Sequence, residues 1–272
     1  MSSPVRRAAR HAIALALLLV TPGAAQERAN GATPVAAQER ANGATPVPYG
    51  VGERLVYDVR FGKLRVGSGS MEVFDVQDVR GRSTWHTIFQ VRGGTFFYRV
   101  NDQYESWIDR HTGNSLRFRQ DLNEGRRDVE RSYDIFPERA VYQESGEDTT
   151  RASVKNPLDD GSFLYFLRTI PLAVGETYSF ERYFRPDRNP VTIKVLRKER
   201  ISVPAGAFDA IVVQPIIKTP GIFSENGRAE IWLSDDENRI MLQMKSGLSF
   251  GSLNLYLKSY RPAQAGATVR QP

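Results

Sequence analysis

A serine set between glycines, Gly247-Leu248-Ser249-Phe250-Gly251, comes nearest in this chain to a catalytic motif. A G-x-S-x-G turn works by exposing a nucleophilic serine where a strand passes sharply into a helix above a parallel sheet. Here the next residues, Ser252-Leu253-Asn254-Leu255-Tyr256-Leu257, alternate as a strand, and the last histidine of the chain, His111, precedes the serine. The hydrolase order places its histidine after the nucleophile, so the match reads as two glycines around a hairpin bend. The other histidines of the body offer little more. His86 and His111 have no His-x-His or HExxH spacing that would bring them together on zinc, and they read as packed or solvated side chains. Asp235-Asp236-Glu237-Asn238 lacks the alternating oxygens, central glycine and distal glutamate of a calcium loop, and reads as a turn between Ile231-Trp232-Leu233 and Ile240-Met241-Leu242. With no cysteine there is no disulfide, thiolate metal site, cysteine nucleophile or lipidated cysteine. No catalytic residue, metal or cofactor is expected.

Charge adds no strong partner. Between Arg110 and Arg131 six arginines alternate with four acids, the pattern of a solvated sheet face more than of a phosphate or nucleic-acid surface. The apolar clusters remain. Gly93-Gly94-Thr95-Phe96-Phe97-Tyr98 and Thr219-Pro220-Gly221-Ile222-Phe223 set bulky side chains beside glycine-rich loops. At the mouth of a curved sheet such loops would admit a lipid or another apolar molecule; their competing role is to cap a core. With the helical residues below, the candidate ligand-binding set is Phe96, Phe97, Tyr98, Phe163, Phe166, Ile222 and Phe223.

The elements that would hold these residues are strands. In Leu55-Val56-Tyr57-Asp58-Val59-Arg60-Phe61 every second residue is apolar. The alternation recurs from Ser83 to Val91, Val100 to Ile108, Arg127 to Ile135, Val191 to Val195 and Leu253 to Leu257. Turn-forming residues such as Arg80-Gly81-Arg82, Thr112-Gly113-Asn114 and Glu225-Asn226-Gly227 separate the runs. Roughly a dozen strands predict an all-β protein, one large antiparallel sheet curled into a barrel, roll or sandwich. One segment departs from the pattern. Asn156-Pro157-Leu158-Asp159-Asp160 carries a cap, a proline for the first helical position and acids for the first turn, and predicts a short helix near residues 157–169. Its Phe163, Leu164, Phe166 and Leu167 would plug an opening or lie across the concave face.

The ends are of a different kind. Arg6, Arg7 and Arg10, the nine-residue apolar run Ala12–Val20 and Gly23-Ala24-Ala25 read as a signal peptide over residues 1–25. The run is far short of the ~20 residues a membrane span needs. Removal of those three arginines lowers the formal charge from +6 to +3, so the basic precursor is no argument for nucleic acid. The segment Ala24–Val35 is repeated unchanged as Ala36–Val47, and residues 26–48 read as a disordered spacer with too little apolar surface to fold. A single β domain is expected over 49–260 and a disordered tail over 261–272. The location is then periplasmic or secreted, with no membrane span after cleavage.

Several runs together carry a family likeness. These are Gly52-Glu53-Arg54-Leu55-Val56-Tyr57-Asp58-Val59, Val66-Gly67-Ser68-Gly69, Tyr98-Arg99-Val100-Asn101-Asp102, Trp107-Ile108-Asp109, Asn156-Pro157-Leu158-Asp159, Phe163–Arg168, Ile201–Ala210 with its Val-Pro-x-Gly-x-Phe turn, and Ala229–Asp236. Over nearly all of residues 49–260 the chain resembles the exported bacterial proteins of the domain-of-unknown-function 3108 family. The resemblance implies export to the cell envelope and an antiparallel β fold, with no assigned activity and no catalytic or binding residues to carry over. A looser likeness to periplasmic lipoprotein carriers is one of architecture alone. The function expected is non-enzymatic binding of an apolar or amphipathic envelope ligand such as a lipid. The alternatives are a structural or protein-interaction module with an envelope protein as partner and, least favoured, an envelope hydrolase.

Overall fold

The structure, a computed structural model, describes residues 47–95, 98–124, 127–218, 229–245 and 253–264. Among these residues alternating runs become strands: β1 (Arg54–Phe61), β2 (Leu64–Val79), β3 (Arg82–Thr95), β4 (Tyr98–Asp109), β5 (Ser115–Glu124), β6 (Arg127–Phe136), β7 (Val141–Glu144) and β8 (Arg151–Ala152) form a first meander. A second comprises β9 (Thr177–Phe180), β10 (Val191–Val203), β11 (Gly206–Ile216), β12 (Glu230–Ser234), β13 (Met241–Lys245) and β14 (Leu253–Arg261). β1 pairs with β14, so the two meanders make one sheet in the order β8-β7-β6-β5-β4-β3-β2-β1-β14-β13-β12-β11-β10-β9, every ladder antiparallel. The expected all-β class and single large antiparallel sheet are what the chain forms.

Period-two patterning decides which face is inside. Leu55, Tyr57 and Val59 of β1, Met71 and Val73 of β2 and Phe118 of β5 are fully buried, and Leu55 faces Met71 and Phe118 faces Tyr133 across the ladders. Alternation is lost at Ala210–Val213 and Leu233–Ser234, where successive residues are buried and both faces are covered. There Trp232 lies on the outer face beneath Arg197 and Lys245, its indole nitrogen donating to Glu199 at 2.6 Å. The β2–β3 ladder is drawn together at Gly67 and Gly93. A Cβ on Gly67 would lie 2.0 Å from the Arg92 carbonyl oxygen, so only glycine fits the close approach.

The sheet rolls without closing. Its edge strands are β8 and β9, and the chain between them fills the seam. Pro157 accepts from the Ser115 amide at the start of β5, and Leu158 exchanges backbone hydrogen bonds with Arg182 and Phe184 beyond β9. Phe184 then packs against Tyr133 of β6 and Tyr142 of β7, ring centroids 5.2 Å apart in both cases. Apolar burial thus carries one edge to the other where the ladder does not.

Inside lies α1 (Asp160–Phe166). The helix forms where expected but is shorter, and its cap is Asp159, not Asn156. Backbone bonding of Pro157 to β5 and of Leu158 to the segment after β9 holds them extended. Asp159 takes the cap position because its carboxylate accepts from the Gly161 and Ser162 amides at 2.8 Å, while Ser162 Oγ accepts from the Asp159 amide. Phe163, Leu164, Tyr165 and Leu167 join the core.

Antiparallel pairing sorts the turns between two ends. β1, β3, β5, β11 and β13 all finish at one end, as the pairs Phe61↔Leu64, Phe61↔Leu253, Thr95↔Tyr98 and Glu230↔Lys245 require. At the opposite end Tyr49 packs edge-on to Tyr165 at 4.9 Å and to Trp85 at 6.4 Å. Beside it Arg168 and Glu53, each 1% exposed, form a bidentate ion pair, with Arg168 also donating to the Pro48 and Asn238 carbonyls. The C-terminal strand runs through Arg261, and the Gln264 amide donates to the Val51 carbonyl, so both chain termini of the described body are tied here.

Candidate functional sites

Two surfaces bear side chains that could act on another molecule: a polar groove on the outer face of β4–β7, and the end where β1, β3 and β11 finish.

The outer face of β2–β5 is built around His86. Its Nδ1 lies 3.1 Å from Asp75 Oδ1 and 3.1 Å from Gln77 Nε2, and its Nε2 is 3.0 Å from Glu105 Oε2. Trp107 stacks on the imidazole at 4.6 Å and donates its indole N–H to Gln77 Oε1 at 2.7 Å. Phe74, raised by a bulge in β2, meets the same ring edge-on at 5.8 Å. The hydrogen bond from His86 holds the Glu105 carboxyl below the usual carboxylate range, against partial burial that would raise it. Both imidazole nitrogens are engaged and one ring face is covered. No hydroxyl is among these hydrogen-bond partners, so the cluster lacks the nucleophile–base contact of acyl transfer and acts as a latch across strands.

Next to it, an open groove of about 480 Å³ runs between β4 and β7, lined by Trp107, Arg117, Arg119, Asp134, Gln143 and Glu147 among others. Its cations have partners. Arg117 and Arg80 meet Asp134 at 3.0 and 2.7 Å, and Arg119 meets Glu130 at 2.7 Å and Glu105 at 3.4 Å. Such a surface presents neutralised polar groups, with no surplus charge for a phosphate. Among the described residues no cluster of histidines and carboxylates is arranged for a metal. Asp236 instead accepts from Ser234 Oγ and from the amides of Asn238 and Arg239, which is the work of a turn.

Buried carboxylates occur at the helix start. Asp159 accepts from Ser106 Oγ at 2.6 Å, from Ser115 Oγ and from the two amides of α1. Burial pushes its carboxyl up to about 6 despite those hydrogen bonds. Burial also raises Asp160, which accepts from Tyr183 at 3.0 Å and Gln120 at 3.1 Å. Capping accounts for Asp159, and Asp160, only partly buried, ties the helix to Tyr183 and to Gln120 of β5.

The candidate ligand-binding residues divide. Phe163 is 1% exposed within the core, and half-buried Phe166 packs edge-on to Phe180 at 5.0 Å beneath the Arg182 guanidinium. Tyr98 begins β4 at the far end. Ser106, against which the helix cap rests, is eight residues further along that strand, about 26 Å at the usual rise. The helix cap thus lies well along β4 from its tip, while Phe166 packs on Phe180, the last residue of β9. Phe96, Phe97, Ile222 and Phe223 lie outside the described residues, as do the glycine–serine motif at 247–251 and the signal and spacer segments through residue 46.

At that far end the described residues add something the alternation of β1 did not single out. Phe61 and Leu64, the pair that closes the β1–β2 hairpin, are 38% and 66% exposed. The signal was present in Arg60-Phe61-Gly62-Lys63-Leu64-Arg65, apolar residues on either side of a glycine turn where polar ones are usual.

No curated protein matches the chain. Among solved structures it is similar to a β-barrel-like protein of the DUF1849 domain of unknown function from Brucella abortus, at 13% identity and a TM-score of 0.51, covering 79% of this chain and 99% of that one. Lower scores are found with a candidate lipoprotein from Parabacteroides distasonis (13% identity, TM-score 0.35, 79% of this chain and 97% of that one) and a candidate exported protein with a YmcC-like fold from Bacteroides fragilis (13%, 0.30, 80% and 100%). The first likeness shows a shared fold and nothing more. The family model of DUF3108, proteins of unknown function, matches residues 56–258, and the chain belongs to that family.

Proposed function

We propose that this protein is an exported envelope protein that binds an apolar or amphipathic ligand, such as a lipid acyl chain, at the end of its rolled sheet where β1, β3 and β11 finish, and carries out no chemistry on it. One observation supports this reading above the others. Meander topology sends the exposed Phe61–Leu64 hairpin to the same end as the strand ends flanking Phe96-Phe97-Tyr98 and Ile222-Phe223. Apolar side chains gathered at one rim, away from the end tied down by Glu53 and Arg168, are the arrangement by which a curved sheet receives a ligand. Phe163 and Phe166 then serve as the packed floor of the body. The signal-like N-terminus supports a periplasmic or secreted location.

The test is uptake of a fluorescent fatty acyl probe by the cleaved protein in detergent-free solution. Saturable uptake that falls in a Phe97→Ala variant, with the thermal midpoint kept, is expected. Absence of uptake by the wild-type protein overturns the reading. The polar groove beside Trp107 favours a second function, as a docking point for an envelope protein partner. Arg117→Glu should then abolish co-purification of that partner without changing probe uptake.

A further inference from the structure

The β1–β2 hairpin is built to be wet and is apolar. Gly62, at φ +58° in the first position of a two-residue turn, bends the chain tightly, and nothing lies within 4 Å of where its Cβ would be. The residues on either side are Phe61 and Leu64, two of the large hydrophobic side chains that the described body leaves exposed. Folding gains nothing from exposing them, and a polar pair would close the same turn.

Cations surround this tip. Arg60, Lys63 and Arg65 lie within one residue of the apolar pair or between its members, and Arg92 is exposed nearby on β3. The acid in contact is Asp58, 3.0 Å from Arg65 and 3.8 Å from Arg60; the hairpin from Asp58 to Arg65 therefore keeps a net charge of +2. Arg60 also lies 4.8 Å over the Tyr256 ring, which holds its guanidinium at the rim. Apolar anchors on either side of the turn, with Lys63 in the turn on a long side chain that can reach back and Arg60 and Arg65 one step behind, match a bilayer interface, where acyl chains begin just below anionic headgroups. An apolar protein groove would complement the anchors but has no need of the cations.

We infer that this hairpin docks the protein reversibly on an anionic lipid surface, with Phe61 and Leu64 entering the acyl boundary and Arg60, Lys63 and Arg65 facing headgroup phosphates. The inference deepens the proposed function, since it sets the ligand-binding rim against the phase that holds such ligands, but it stands on the hairpin and is tested without any ligand.

The experiment is co-flotation of the cleaved protein with vesicles of phosphatidylcholine alone or of phosphatidylcholine with phosphatidylglycerol. Wild-type protein is expected to float with the anionic vesicles, and less so as salt is raised. Phe61→Ser with Leu64→Ser should lower partitioning by roughly tenfold per anchor, and Lys63→Glu roughly fivefold on anionic vesicles alone. Lys63→Glu should keep the wild-type thermal midpoint and the double variant should lower it only modestly, Phe61 being 38% and Leu64 66% exposed. Wild-type protein that stays out of the lipid at low salt overturns docking. So does equal flotation of the doubly substituted protein, or a dimer in solution that this variant dissolves while vesicles bind neither form. Acyl-probe uptake in vesicle-free solution separates the two claims. Lost flotation with kept uptake supports the docking role of the hairpin, and kept flotation without uptake by the wild type sinks the ligand reading alone.

Discussion

Two buried residues set the clearest expectations. Asp159 holds its proton up to about pH 6 in the folded protein, against 3.8 for an ordinary aspartate, so the native state binds more protons than the unfolded one between those values. Stability contributed by this group is therefore present at low pH and lost as pH rises through the window, by on the order of 2–3 kcal/mol in full. Asp159→Asn keeps an oxygen for the helix amides and removes the titration. The difference in urea-unfolding free energy between wild type and variant should fall from about pH 4 to about pH 6 and then level off; a flat difference would contradict the assignment. Glu53 makes the second case. Burial acts to lower the Arg168 value, and the hydrogen bonds and charge of Glu53 more than offset it, so the guanidinium stays charged inside the body. Glu53→Gln strands that charge, and a loss of about 3–5 kcal/mol is expected in chemical denaturation. A loss under about 1 kcal/mol would mean that water reaches the pair.

The helix shows how an element can reverse a residue's usual preference. Alanine exceeds glycine as a helix former by about 1 kcal/mol, yet a Cβ at Gly161 would sit 2.4 Å from Ser106 Oγ, itself hydrogen-bonded to Asp159. Gly161→Ala should therefore destabilise the protein by about 1–3 kcal/mol, read from the urea midpoint, and a stabilised variant would refute the close packing of α1 on β4. Elements of this kind were only partly legible in the sequence. Alternation in Leu55–Phe61 and Val100–Ile108 located strands because one face meets the core and the other meets water. It could not give the cap of α1, since Asn156 and Asp159 are both good caps and the choice fell to the serines of β4 and β5, distant in sequence. Nor could it reveal that His86 bridges Asp75 and Glu105, because that contact depends on the registers of three strands and on the bulge at Phe74. Phe61 was read as one more alternating residue, and only the turn geometry shows it exposed.

At the scale of the whole sheet, the meander does what residue patterns do not: it sorts loops by end. The end holding Tyr49, Glu53, Arg168 and Asn238 is fastened by buried charge and edge-on rings. The other receives the Phe61–Leu64 hairpin and the ends of β3 and β11, beyond which the described residues stop at 95 and 218. That asymmetry underlies the claim that the protein carries an apolar ligand at one rim. Phe163, buried in the core, and Phe166, packed on Phe180, take part in the packing of the body. The most direct test is native mass spectrometry of the protein, purified without detergent from its own cells. The account predicts a second mass series, heavier by one acyl-bearing molecule and lost on mild solvent extraction. A single bare mass, from protein that also fails to take up an added acyl probe, would contradict it.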